Sequence, residues 1–223
     1  MYPALLFDMD GTLVDSAEGV YQSMRYAMEA EGVPPLKREQ ARYFLGETLE
    51  SVLKRIFGIE GPVAQRIRER FLPHYQDNGL YATIPVPGMV DLTRSLHEKG
   101  YRLGIASCKP WVYCGPTLQH CGFFDCFEAI AGSWHNGVPE EKTAVIREAL
   151  RLLDLPAQQA IMIGDRAVDV SCAATLGIPC VGLSYCGYGE PGELEQAGAV
   201  AVAPTAEALG RILEEQAWAY SDM

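Results

Sequence analysis

Ala4-Leu5-Leu6-Phe7-Asp8-Met9-Asp10-Gly11-Thr12 is the stretch on which the reading of this chain turns. A short apolar run stops at two acids and a glycine, as a buried strand does when it enters a turn. Two carboxylates two residues apart at a strand end can point into one site. One can attack phosphorus and form an acyl phosphate. The other can protonate a leaving oxygen and later activate water. Gly11 lets the backbone turn sharply, so that its amide and its neighbours face phosphate oxygens. An Asp-rich turn or helix cap uses the same residue types, so this motif needs company.

Downstream, Asp15 reads as a helix cap with Glu18 as its box partner, and Val20, Met24, Ala27 and Met28 fall on one helix face. Residues 17–81 are helical in pattern, with breaks at Gly32-Val33-Pro34-Pro35 and from Gly58 to Pro62, and without a strand. After Ile84-Pro85-Val86-Pro87-Gly88 the pattern alternates. Helices are expected at Met89–Lys99, Trp111–Cys121, Thr143–Leu153, Val168–Leu176 and Ala206–Gln216. Strands are expected at Arg102–Ala106, Phe127–Ala131, Ala160–Ile163, Val181–Leu183 and Val200–Val202. Such alternation implies an α/β fold, a doubly wound parallel sheet with helices on both faces. The small helical block is then an insert after the first strand. The expected division is a core of residues 1–16 and 83–223 and a cap of residues 17–82. Ligands of open parallel sheets bind outside the carboxyl ends of the strands. Asp8, Ser107 and Asp165 each follow such an end.

Gly164-Asp165-Arg166-Ala167-Val168-Asp169 follows the apolar run Ile161-Met162-Ile163, and its two acids at i and i+4 are expected on one side of a first helical turn. Mg2+ takes one or two carboxylates, waters and a substrate phosphate. Helix N-termini also collect acids for dipole reasons alone. The hydroxyl of Ser107 and the amides after it, starting at Cys108, are candidates for holding a phosphoryl oxygen. Lys142, ahead of a helix with Val145, Ile146, Ala149 and Leu150 on one face, would offset the crowding of acids, although most lysines are solvated.

In this order, Asp8-Met9-Asp10-Gly11-Thr12, Ser107, Lys142 and Gly164-Asp165 with Asp169 resemble the four motifs of the haloacid dehalogenase-like superfamily. The chain looks like its phosphoglycolate phosphatase and 5'-nucleotidase-like branch, over nearly its whole length. The resemblance implies a Rossmann-like core, a magnesium cofactor and hydrolysis of a small phosphate monoester. Asp8 would be nucleophile and metal ligand, and Asp10 the general acid/base, with its backbone carbonyl on the metal. Gly11 and Thr12 would support the phosphate loop, Ser107, Cys108 and Lys142 would bind phosphate, and Asp165 and Asp169 would hold the metal. Many relatives carry Gly-Lys-Pro where this chain has Glu141-Lys142-Thr143. Lys109, in Ser107-Cys108-Lys109-Pro110, resembles the Ser-x-Lys-Pro of some relatives and is a rival phosphate contact. Within the cap, Arg42, Gly46 and Glu47 resemble a substrate-specificity loop, and a plain turn would read the same way.

Asp10 argues against a dehalogenase, and against a phosphonate-cleaving relative, for which Lys37 and Lys54 would be the amines. A sugar phosphomutase shares both acids and stays open, as does an idle phosphate-binding regulatory protein. Gly187-Tyr188-Gly189-Glu190-Pro191-Gly192 fits GxGxxG but comes late in the chain, where it reads as a loop near the site. His74, His97, His120 and His135 are too dispersed for a metal or triad. A net charge of -11 in 223 residues disfavours nucleic acid and anionic lipid as partners. The seven cysteines form no CxxC pair, and no apolar stretch nears the roughly 20 residues of a membrane span. The expectation is a cytoplasmic monomer or homodimer acting on a small phosphorylated metabolite.

Overall fold

The computed structural model describes residues 4–45, 48–133 and 141–215. In chain order they form β1 (Ala4–Phe7), β2 (Val14–Asp15), α1 (Ala17–Ala30), α2 (Leu49–Phe57), α3 (Pro62–His74), β3 (Ile84–Pro85), α4 (Met89–Glu98), β4 (Arg102–Pro110) and α5 (Trp111–Cys121). There follow β5 (Ala129–Ser133), α6 (Lys142–Leu153), β6 (Ala160–Gly164), α7 (Ala167–Ala174), β7 (Cys180–Leu183), α8 (Glu193–Gln196), β8 (Ala201–Ala203) and α9 (Ala206–Glu215). Two compact units result, one made of Met1–Val14 with Pro85–Met223 and the other of Asp15–Ile84.

The larger unit is built on a parallel sheet of order β5-β4-β1-β6-β7-β8. β1 is central, with Leu5 opposite Leu103 on one side and Ile161 on the other. Alternate residues of each strand feed opposite faces. Leu5, Phe7, Ile105 and Ile163 pack with Leu118 of α5 and Leu209 of α9. Leu6, Ala131 and Met162 pack with Ile146 of α6 and Ala173 of α7. Burial on both faces explains why β1 reads as an unbroken apolar run. Truncating Leu5 or Leu6 to Ala would cost about 2–5 kcal/mol.

Several boundaries differ from those expected from sequence. Phe127 precedes β5, because a 3-10 turn at Phe124–Cys126 intervenes, and its ring packs edge-on to Phe7 with centroids 5.8 Å apart. β4 runs four residues past Ala106, with a register shift against β5 between Ser107 and Pro110. α7 begins at Ala167, so Asp165 lies in the strand-to-helix turn and only Asp169 is on the helix. Asp15 lies in β2, and its Oδ1 accepts the amide of Ala17 at 3.0 Å. Glu18 is engaged instead by Gln22 and Arg38.

The smaller unit is helical. α1 buries Val20, Met24, Ala27 and Met28. Thr48 caps α2 by accepting the amide of Ser51 at 3.3 Å, and Gly58 ends it in a left-handed conformation. Pro62 opens α3 at a position where a missing amide is harmless. Glu31 ties α1 to α3 through Arg66 at 2.6 Å and Arg70 at 2.7 Å.

Candidate active site

The turns after β1 and β6, the last residues of β4 and the starts of α6 and α7 supply the side chains. The first turn is wound around one carbonyl. The amides of Thr12, Leu13 and Val14 all donate to Met9 O, at 3.2, 2.9 and 3.0 Å, and Gly11 N returns to Val14 O at 2.8 Å. Gly11 sits at φ +91°, and a Cβ there would lie 2.1 Å from Asp165 Oδ2. Only glycine fits this place, on both backbone and contact grounds. Thr12 Oγ1 donates to Asp165 Oδ1 at 3.3 Å, so the first turn bolts directly onto the acid after β6.

Each expected acid finds a named contact. Lys142 Nζ donates to Asp8 Oδ1 at 2.7 Å and lies 2.7 Å from Asp169 Oδ1. Its side chain is only 2% exposed, so the solvated-lysine alternative does not hold. Lys109 Nζ donates to both oxygens of Asp10, at 3.0 and 3.2 Å. The two lysines thus divide the acids between them rather than competing for one place. Lys109 lies where the register of β4 against β5 shifts, and such a shift redirects side chains at a strand end. Ser107 is buried, and its Oγ accepts the amide of Lys109 at 3.3 Å. Burial pushes the neighbouring Cys108 thiol up to about 11, even against the pull of Lys142, so it stays neutral.

Asp8, Asp165 and Asp169 each offer an oxygen within 4.8 Å of the others. Burial raises Asp8 to about 6 against the pull of Lys142, and Asp169 and Asp10 add to the rise. Asp165 stands well above the carboxylate range, first through burial and then through Asp169 and Asp8. Burial works against the charge of Lys142, but Asp169 and Asp8 outweigh it and hold its pKa well above the ordinary value. Four ionised carboxylates against two lysines would leave two negative charges in the site. Asp165 Oδ2 is fully buried and has no hydrogen-bond partner. A buried carboxylate oxygen in that state fits a cation, which would repay its desolvation. The carboxylate of Asp10 is outside this group of three, turned to Lys109.

The family model of haloacid dehalogenase-like hydrolases matches residues 5–183. The chain belongs to that family. It is 30% identical over 213 residues to a 5'-nucleotidase of Pseudomonas aeruginosa, covering 96% of each chain. It is 30% identical over 220 residues to a phosphoglycolate phosphatase of Rhodospirillum rubrum, covering 94% of this chain and 90% of that one. A crystal structure of a predicted phosphatase from Clostridium acetobutylicum superposes with a TM-score of 0.88 at 31% identity, over 96% of this chain and 99% of that one. As a member of this haloacid dehalogenase-like family with relatives of this kind, the chain is a phosphatase.

Arg42 lies in the smaller unit, in the 3-10 stretch Arg38–Phe44, its guanidinium 5.1 Å from the Tyr43 ring centroid. Gly46, Glu47, His135 and the tail from Trp218 to Met223 lie outside the described residues. The reading of the sequence did not find Glu193, whose carboxylate reaches the turn between Asp165 and Asp169. The glycines just before it read as a loop near the site, and nothing in them names the acid that follows.

Proposed function

We propose that this phosphatase is magnesium-dependent and hydrolyses a small phosphate monoester through an aspartyl-phosphate on Asp8. Phosphoglycolate is the first candidate substrate and nucleoside 5'-monophosphates the second, by analogy with the relatives above. The observation that carries the reading is the split of the two lysines, Lys142 on Asp8 and Asp169 and Lys109 on Asp10. It separates a buried carboxylate suited to attack from a second one suited to proton transfer.

Asp8 is ionised at neutral pH, since its pKa of about 6 lies below that. One of its oxygens attacks phosphorus, and the phosphorus–oxygen ester bond breaks as Asp10, which enters this step in its acid form, hands that proton to the leaving oxygen. Water then attacks the phosphorus of the aspartyl-phosphate. Asp10 takes the proton of that water, and the bond to Asp8 breaks to release inorganic phosphate. Lys142 orients Asp8, and in the substrate-free site Lys109 holds the carboxylate of Asp10 at both oxygens, a contact that opens at one oxygen while Asp10 carries its proton. Ser107 and the amides around Gly11 are placed to hold phosphoryl oxygens. Asp8, Asp165 and Asp169 would hold Mg2+, which supplies positive charge to the transferring group when bound. A cytoplasmic setting suits a site of this chemistry on a chain whose seven cysteines stand as thiols. Among the described residues, no helix is long and apolar enough to cross a membrane.

The test is phosphate release from phosphoglycolate, nucleoside monophosphates and hexose phosphates, with Mg2+ or EDTA, for wild type and Asp8→Asn. The reading expects release by wild type with Mg2+ only, and a loss of about 10³-fold or more in a variant with unchanged circular dichroism. Activity retained by Asp8→Asn would end the mechanism. Isomerised sugar phosphate with little free phosphate would replace the hydrolase by a mutase.

A further inference from the structure

Between Asp165 in the turn and Asp169 in the first turn of α7 stands a cation, Arg166. An arginine whose charge is felt by Asp165 is itself a rival for the charge a metal would neutralise. The structure shows where its guanidinium goes. Arg166 Nε donates to Glu193 Oε1 at 3.0 Å. The same oxygen accepts the first amide of α7, Ala167 N, at 2.9 Å, and Glu193 Oε2 accepts Glu190 N at 2.6 Å. Burial works against the charge of Glu193, yet the amides of Ala167 and Glu190 and the guanidinium of Arg166 hold its pKa below the ordinary value.

Glu193 is itself fixed from two sides. A Cβ on Gly189 would lie 2.5 Å from Glu193 Cδ, so the carboxylate occupies the space that a side chain would fill. The next residue, Leu194, is buried against Gly182, where a Cβ would lie 2.8 Å from its Cδ1. The glycines of Gly187-Tyr188-Gly189-Glu190-Pro191-Gly192 have no nucleotide to account for them. Their geometry serves the carboxylate: Gly192, at φ +76°, turns the chain into α8, and Gly189 leaves room for its first side chain.

We propose that Glu193 is a positioning residue for the metal-binding turn, holding the guanidinium of Arg166 off Asp165 and Asp169 so that those acids stay available to a divalent cation. This rests on the reading that Asp8, Asp165 and Asp169 bind Mg2+. It adds that a carboxylate some two dozen residues further along the chain sets how tightly they do so.

Calorimetric titration of MgCl2 into wild type, Glu193→Gln and the double variant Arg166→Met/Glu193→Gln tests it, with thermal melts in EDTA alongside. Glu193→Gln keeps the shape of the side chain and removes its charge. The expected result is Mg2+ binding weakened about tenfold, in a protein that still melts cooperatively in EDTA. Removing the Arg166 guanidinium as well should bring the affinity back to within about threefold of wild type, because the rival cation is gone. A merely structural role would lower the melting temperature of both variants and leave Mg2+ affinity alone. Wild-type affinity in Glu193→Gln, or a double variant as weak as the single one, overturns the inference. Should Glu193→Gln not fold, Gly189→Ala displaces the same carboxylate and must show the same weakening. A wild type that binds no Mg2+ removes the metal reading itself, which separates the two failures.

Discussion

The turn after β1 and the turn after β6 face each other across Asp165, yet they are built by different means. The first closes on itself: three amides converge on Met9 O, and Gly11 folds back to Val14 within six residues. The second is held from outside, by Thr12 on Asp165 and by Glu193 on Arg166 and Ala167. A self-closed turn is specified by its own residues and can be read from them. A turn braced by residues 27 and 153 positions away cannot, because its geometry is a property of the packed sheet. The lysines repeat the contrast. Lys142 sits at the start of a helix and reaches its acids directly, whereas Lys109 depends on a register shift in β4.

The comparison can be broken most severely at Lys142. Lys142→Ala leaves Asp8 and Asp169 buried without their shared cation, and should cost about 3–5 kcal/mol in urea melts run in EDTA. Mg2+ should return part of that loss. Lys109→Ala should cost no more than about half as much, since it takes the cation from one acid, Asp10, rather than from two. Equal losses would erase the distinction between the two lysines.

Gly11→Ala comes next. It forces a left-handed residue and a contact with Asp165 at once, and should lose about 1–3 kcal/mol together with the stabilisation by Mg2+. Gly100→Ala is the control, at φ +88° with nothing within 4 Å, and should lose about 1–2 kcal/mol while keeping the full Mg2+ response. Thermal melts with and without Mg2+ read both. A Gly11 variant that still responds to Mg2+ would mean that the first turn does not shape the metal site.

The gentlest probe is pH. Asp8 rises from an ordinary 3.8 to about 6 in the folded chain, mainly through burial, so its ionisation weakens the metal-free fold as pH climbs between those values. Mg2+ competes with that proton. The gain in melting temperature on adding Mg2+ should therefore grow as pH rises through about 6 and shrink below it. A gain that stays flat from pH 5 to about 8 would take Asp8 out of the metal set.

Much of this architecture is visible in the chain itself. Leu5-Leu6-Phe7 and Ile161-Met162-Ile163 are apolar at every position because both sheet faces are covered, and that burial fixes their class. The acids follow at the strand ends, where a parallel sheet presents its ligands. What the sequence conceals is long-range. Phe127 looks like a strand residue because it is aromatic and buried, but it serves as a plug against Phe7 ahead of β5. Asp165 and Asp169 have helix spacing, yet they meet because α7 starts late, not because they share a helix turn. Glu193 has the look of any solvated helix acid until the fold brings Arg166 to it.

The shift in β4 has a further consequence, for how this segment tolerates change. Three steps of β4, from Ser107 to Pro110, are matched by one step of β5, from Gly132 to Ser133. Cys108 and Lys109 are therefore surplus to the pleat, and the chain between Ser107 and Pro110 is constrained in its length as well as in the lysine that holds Asp10. Exchanging Cys108 for a residue of similar size alters one neutral group. Deleting it would move Lys109 through a single strand position, turn its amine to the opposite side of the sheet and release Asp10. Drift in this segment is open to substitution at Cys108, closed to it at Lys109, and closed to loss or gain of a residue.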